Sequence, residues 1–264
     1  MKREWVMWLI IAVLVVGALL LGTQKAETMG VKVTGEASYI NYGVLSTDLA
    51  AATQKTISSW VNIDSAATAV TKAFIIVDIE GAAFTTGFYF HKYTTENNVT
   101  FLKGYSTVQG IWQTNEVLSL NTWYHLAVSY DESNIANDPI IYINGVAQSI
   151  DVKQTPVGSL QSDTSDSIFS PFVGLATTPY GTVADLRIYN RILTAAEVAQ
   201  IYSARGRDNI RNGLVFCPFL KGAAGLQAFD GATLAAGNTI VDPCSGAIGV
   251  PAGSPVGVGE TYLR

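Results

Sequence analysis

Charge is scarce in this chain. Acidic and basic side chains make up 14% of its 264 residues, the net charge is -5, and no basic run occurs. Nucleic acids are held by clustered Lys and Arg, so a nucleic-acid surface is excluded. The acidity is too slight to form an acidic interaction tail. Histidine occurs only at 91 and 125, a separation that supplies no zinc-site spacing. No nucleophile elbow, phosphate loop or dinucleotide fingerprint is present. Helix-favouring charged residues are few, whereas Gly, Ala, Ser and Thr abound, as in turn-rich β proteins. With 48% apolar residues, the chain can bury one substantial core, and one folded domain is expected.

One long apolar run is present. Trp5 to Leu21 is uninterrupted over roughly 17 residues, at the short end of what spans a hydrocarbon core. Lys2 and Arg3 precede it and would hold that end in the cytoplasm, with Trp5 and Trp8 at the interface. Residues 1–22 are therefore read as a transmembrane anchor contacting the bilayer through 5–21, and 23–32 as a linker. The remainder would lie outside the cytoplasm, at a cell surface, in a periplasm or on a virion. A cleaved signal peptide is the competing reading, but Gly22 to Ala26 offers no small-x-small cleavage site, and no lipobox cysteine follows. Both readings export the domain. Packing in a filament core, as in pilins, is a third reading, although the acidic residue of the pilin processing signature is missing.

The rest is organised around Leu118 to Val152. Tyr124, Leu126, Val128 and Tyr130 fall on one face of a strand and Trp123, His125, Ala127 and Ser129 on the other. Asp131 to Asp138 is a polar turn-forming stretch, Ile140 to Ile143 a second strand, and Asn144-Gly145 a tight hairpin turn. The run WYHLAVSYD followed by IYING resembles the central hairpin of laminin G-like, or concanavalin A-like, jelly-roll domains. Ile57 to Val61, Gly181 to Arg191 and the helix after Leu193 agree with it in order. The resemblance implies an all-β, antiparallel two-sheet jelly roll over residues 33–264 with one short helix. It leaves function open, since that fold hosts lectins, glycosidases, adhesion modules and structural proteins.

Candidate site residues follow from alternation. Phe88 and Phe90 suit the core, which turns Tyr89, His91 and Tyr93 to the outer sheet face, where Tyr105 and Trp112 would join them. Aromatic faces with polar neighbours stack on sugars, so these five are the candidate ligand-binding residues; the alternative is that they merely cover a sheet. Many laminin G-like and pentraxin-like domains bind calcium at loop carboxylates and carbonyls, which makes Asp131, Asp138 and Asn144 candidate ligands here, against a default of solvated loop acids. Asp78 and Glu80 lie about 7 Å apart along one strand, a spacing that invites a glycosidase reading. Family 16 glycosidases carry a third acid on that strand; here Gly81, Ala82, Ala83 and Phe84 follow instead. Asn98-Val99-Thr100 is a glycosylation sequon. Asp185 with Arg187 is read as a structural ion pair.

Thr194 to Glu197 is a capping box opening a helix whose Val198, Ile201 and Tyr202 form one stripe. Beyond it, GLVFCPFLKG resembles the opening strand of a laminin G-like domain, so residues 213–264 are expected to supply a permuted first strand and closing tail. Cys217 and Cys244, the only cysteines, form a possible disulfide, with a buried cysteine and a loop thiol as the alternative. The reading reached is a non-enzymatic, membrane-anchored extracytoplasmic module binding a glycan or a surface protein. The rival is a structural subunit of a filament, envelope or membrane assembly, with a glycosidase as the weaker third.

Overall fold

The computed structural model describes residues 30–34, 39–42, 52–64, 74–79, 87–92, 97–161 and 180–218, with 240–241, 244, 248–252 and 256–258. The membrane segment, Glu80 and Tyr93 lie outside the described residues, and of Asp78 and Tyr89 only the backbone is described. Among the described residues no helix is long and apolar enough to cross a membrane.

Sixteen strands and one helix are described. They are β1 (Gly30–Thr34), β2 (Tyr39–Asn41), β3 (Gln54–Ile63), β4 (Phe74–Ile79), β5 (Phe88–Lys92), β6 (Asn98–Lys103), β7 (Gly110–Val117) and β8 (Trp123–Asp131), then β9 (Ile140–Ile143), β10 (Val146–Ala147), β11 (Ile150–Gln154) and β12 (Tyr180–Tyr189). After α1 (Ala195–Ala204) come β13 (Leu214–Phe216), β14 (Ile240–Val241), β15 (Ile248–Ala252) and β16 (Val256–Val258). The large sheet runs β10-β9-β8-β3-β12-β1-β16, the second runs β11-β7-β6-β5-β4, and β14-β15-β2 form a small third. All described pairings are antiparallel, and two sheets stacked face to face make a sandwich consistent with a jelly roll.

Alternation decides what enters the core. Ile57 and Val61 of β3, Leu126 and Val128 of β8, and Val183, Leu186 and Ile188 of β12 meet Phe88, Phe90, Val99, Phe101 and Trp112 of the facing sheet. Asn144 and Gly145 both take positive φ (51° and 79°), as a two-residue hairpin turn matched to strand twist requires. In β12 the pairing register slips between Ala184 and Arg187, and Asp185 sits at φ 51°. Ala184 packs with Trp60 on the outer side and Leu186 in the core, so this bulge lets Ala184, Asp185 and Arg187 all face outward.

The outer side of the large sheet is covered by α1. Thr194 caps the helix, accepting from the Glu197 amide while the Glu197 carboxylate accepts from the Thr194 amide. Val198 and Ile201 are buried against Ala127, Tyr142 and Tyr189. Trp60 packs in this outer layer, stacked on Tyr202 at 5.6 Å, and not between the sheets.

One boundary differs from the sequence reading. Residues 30–32, read as linker, are the start of β1 and pair with both β12 and β16; Val31 is fully buried, so its apolar side chain is worth more in the sheet than in a tether. Downstream, β13 lies along the half of β12 that β1 does not occupy, pairing Phe216 with Ile188. Of the tail strands, β13 and β16 thus belong to the large sheet, while β14 and β15 join β2 in the third.

Cys217 and Cys244 form a disulfide with Cα atoms 5.6 Å apart across 27 residues. Closing a loop of that length stabilises by about 3–4 kcal/mol through lost unfolded-state entropy. Denaturant unfolding with and without reductant should differ by that amount, with Cys217→Ala/Cys244→Ala matching the reduced protein; identical curves would show that the bond is not formed.

Candidate functional site

The sandwich end that carries the Asp131–Asp138 loop holds a buried polar cluster between the sheets. Lys55 shares the parity of Ile57, Lys103 that of Phe101, and Glu132 that of Tyr130, so all three point inward. Lys55 Nζ donates to Glu132 Oε1 at 2.6 Å, and Lys103 Nζ stands 3.7 Å from Glu132 Oε2. The three side chains are 2% exposed or less, a burial that charges tolerate only when paired. Lys55 also lies over the Phe88 ring at 5.5 Å, and Lys103 donates to the Gln161 carbonyl. Beside them the Tyr105 and Tyr130 hydroxyls bond each other at 2.7 Å, and burial raises the pKa of both.

This charged floor supports the loop above it. The Glu132 amide donates to the Thr53 carbonyl, tying the loop's start to the strand that carries Lys55. Asp131 accepts from the Ser133 amide and the Gln54 side-chain amide, bonds that hold its carboxyl below the ordinary range. Asn134 accepts from the Ala136 amide, and the Asn137 side chain donates to the Asp131 carbonyl. Asp138, at the far end, accepts from the Trp112 indole at 2.6 Å. Such Asx-type bonds fix a loop that would otherwise be mobile. Ser133, Asn134, Ile135 and Ala136 are left exposed at its tip. The neighbouring exposed residues Ser106, Thr107, Val157 and Leu160 belong to segments joined by Tyr105–Leu160 and Val108–Val157 bridges.

The sequence-predicted residues divide. His91 lies opposite Phe88 and Phe90 in the alternation, on the outer face with Thr100 and Gln113, but it is 5% exposed. Trp112 and Tyr105 require correction. Register places Trp112 beside Phe101 and Phe90 in one inward row, its ring 5.3 Å from Tyr130; Tyr105 is 1% exposed. Neither ring face is open to a sugar. The proposed calcium ligands are not brought together. Asp131 and Asp138 share the loop end, whereas Asn144 accepts from the His125 amide at the other end of β8, roughly 20 Å away at strand rise. Among the described residues no group of three or more His, Cys, Asp or Glu is placed to hold a metal. Asn98 is a strand residue, 7% exposed, with its amide bonded to the Thr114 carbonyl, so the sequon offers no accessible acceptor in the fold.

A second polar layer lies beneath α1. Arg187 makes a two-bond contact to Asp185 at 2.7 and 2.8 Å and a third bond to Asp208 at 2.7 Å, all fully buried. Burial opposes the guanidinium charge, but the two carboxylates raise its pKa well above the usual value. His125 Nε2 bonds the Ser58 hydroxyl at 2.9 Å, with the Trp60 ring 5.4 Å away. Ser58, His125 and Asp208 contain the residue types of a hydrolytic triad. The His125 ring is fully buried, and its Nδ1 has no hydrogen-bond partner among the described residues. Ser58, His125 and Asp208 therefore form no Ser–His–Asp relay.

The family model described as "Concanavalin A-like lectin/glucanases superfamily" matches residues 34–199, well over half of the chain. The chain belongs to this concanavalin A-like family. Two solved structures similar to it agree on the fold. One, from Bacteroides ovatus, is of a protein provisionally named as carbohydrate binding: 17% identity, TM-score 0.60, covering 88% of this chain and 62% of that one. The other is a heptameric SAP-like pentraxin from Limulus polyphemus: 11% identity, TM-score 0.53, covering 86% of this chain and 97% of that one. The chain thus spans less than two thirds of the Bacteroides protein. A sequence comparison with curated proteins returns no match.

The concanavalin A-like match stops within α1, yet Asp208 and β13 lie beyond it and complete the buried layer. Replacing Arg187 by Met should cost about 3–5 kcal/mol in chemical unfolding, because two carboxylates stay buried without their cation. The two buried histidines contribute to the pH response. Burial lowers His91 and His125 to a pKa of about 3, against 6.5 in the unfolded chain. Between those values the unfolded state binds the extra protons, so stability is full above pH 6.5 and falls as pH drops toward 3. Each histidine contributes a slope of about 1.4 kcal/mol per pH unit. His125→Gln should remove its share of the slope; an unchanged slope would show that His125 does not titrate in this way.

Proposed function

We propose that this chain is a non-enzymatic recognition module, held at a membrane by its N-terminal apolar segment and displayed on the extracytoplasmic side. It binds glycan through the loop end around Asp131–Asp138. The observation that carries the reading is a self-bonded loop seated on buried charge, which presents amide, hydroxyl and aliphatic groups together. Sugar recognition needs that mixture, and a rigid loop loses little entropy on binding. Membership of the concanavalin A-like lectin/glucanases family supports a lectin-like role, as does the provisional name of the Bacteroides protein.

A glycosidase is disfavoured by how the acids are used. Each buried carboxylate among the described residues, Glu132, Asp185 and Asp208, is engaged by a Lys or Arg. A general acid needs an open approach to the leaving group, and these three carboxylates are buried. The disulfide supports export, since such bonds persist in oxidising compartments.

Exposed β-branched residues on the sheet edges, Val146 (64%) and Val152 (46%), favour a second reading, contact with another subunit in an assembly. Both readings are tested with detergent-solubilised full-length protein. A glycan-array signal lost in Asn134→Ala and Ile135→Asp, but kept in Val146→Asp, supports recognition at the loop. No sugar signal, with a defined oligomer that Val146→Asp disperses, would overturn it in favour of assembly.

A further inference from the structure

We propose that Trp112 and Asp138 form a clamp that sets the conformation of the recognition loop from beneath, with Asp138 acting as a positioning residue and not as a ligand contact. The inference rests on the loop end being the binding surface.

Trp112 is fully buried and its indole N–H is its single donor. That donor is spent on Asp138 Oδ1 at 2.6 Å, a short bond to a charged acceptor. The ring cannot swing away. It lies so closely over Gly110 that a Cβ there would collide with it, and Phe101 and Tyr130 flank it at 6.1 and 5.3 Å. Trp112 is therefore a fixed post, and the mobile partner is the loop. The other internal bonds of the loop, from Gln54, Ser133, Ala136 and Asn137, gather at Asp131 and Asn134. Among the described residues, the indole bond is the side-chain bond that ties the C-terminal end of the loop to the second sheet, immediately before buried Pro139. Without it the bonds that hold Ala136 and Asn137 to Asn134 and Asp131 remain, Asp138 is released to move on Pro139, and the buried indole N–H loses its acceptor. The family resemblance makes Asp138 a candidate calcium ligand; in the fold, one of its oxygens serves the interior.

The test compares Asp138→Ala, which removes the acceptor, with Asp138→Asn, which keeps a side-chain oxygen and discards the charge. Two readouts on full-length protein are needed: exchange of the Trp112 indole proton and the 133–138 amides, and binding to a panel of immobilised neutral and sialylated oligosaccharides. The clamp predicts exchange roughly tenfold faster and binding weaker by a similar factor in Asp138→Ala, with both near wild type in Asp138→Asn. Unchanged exchange in Asp138→Ala would overturn the clamp. Normal exchange with lost binding in Asp138→Asn would show that the carboxylate touches the ligand, which overturns the positioning role. If the wild type binds nothing on the panel, the recognition reading falls, while the exchange comparison still decides whether the clamp exists.

Discussion

The convergence of Lys55 and Lys103 on Glu132 is the constraint around which the loop end is built. Lys55 comes from the large sheet, Lys103 from the facing sheet, and Glu132 from the first residue past β8. Apolar packing drives the two sheets together but is indifferent to small slips between them. A buried carboxylate is not indifferent, because displacing it from its cations costs several kcal/mol. Such a cluster adds little net stability, since desolvation offsets most of the attraction; what it supplies is a fixed relation between the sheets and the loop that leaves them.

The molecule uses buried charge in two layers with different consequences. Between the sheets, the Glu132 cluster locates a loop. On the outer side of the large sheet, Arg187 joins a bulged strand to Asp208 in the segment after α1, and Thr56 bonds the Arg191 carbonyl and the Leu193 amide. That second layer fastens the helix, and through β13 the tail, to the sandwich. The loop end and the helix layer are thus held by separate sets of charges.

Local signals in the sequence were sufficient for much of this. The alternation of Trp123 to Tyr130, the Asn144-Gly145 turn and the Thr194 capping box all appear in the fold, since each depends on neighbours a few residues away. Trp112 and Tyr105 were misplaced because facing is a property of register, and register needs the partner strand. With Phe90 inward, the pairs Phe90–Phe101 and Phe101–Trp112 turn Trp112 inward too. The buried lysines leave no mark in composition, since lysine is ordinarily exposed. Parity carries a usable signal: Lys55 shares that of Ile57, Lys103 that of Phe101, and Glu132 that of Tyr130. The bulge at Asp185 left no such trace.

The most direct test of the account is native-state hydrogen exchange on Glu132→Gln, a substitution that keeps shape and removes the charge holding both lysines. If Glu132 locks the sheets at the loop end, amides of 131–138 and the adjoining ends of β3, β6 and β8 should lose protection together, while β12 and α1 keep theirs. Protection unchanged at the loop, or lost evenly across the sandwich, would contradict the account.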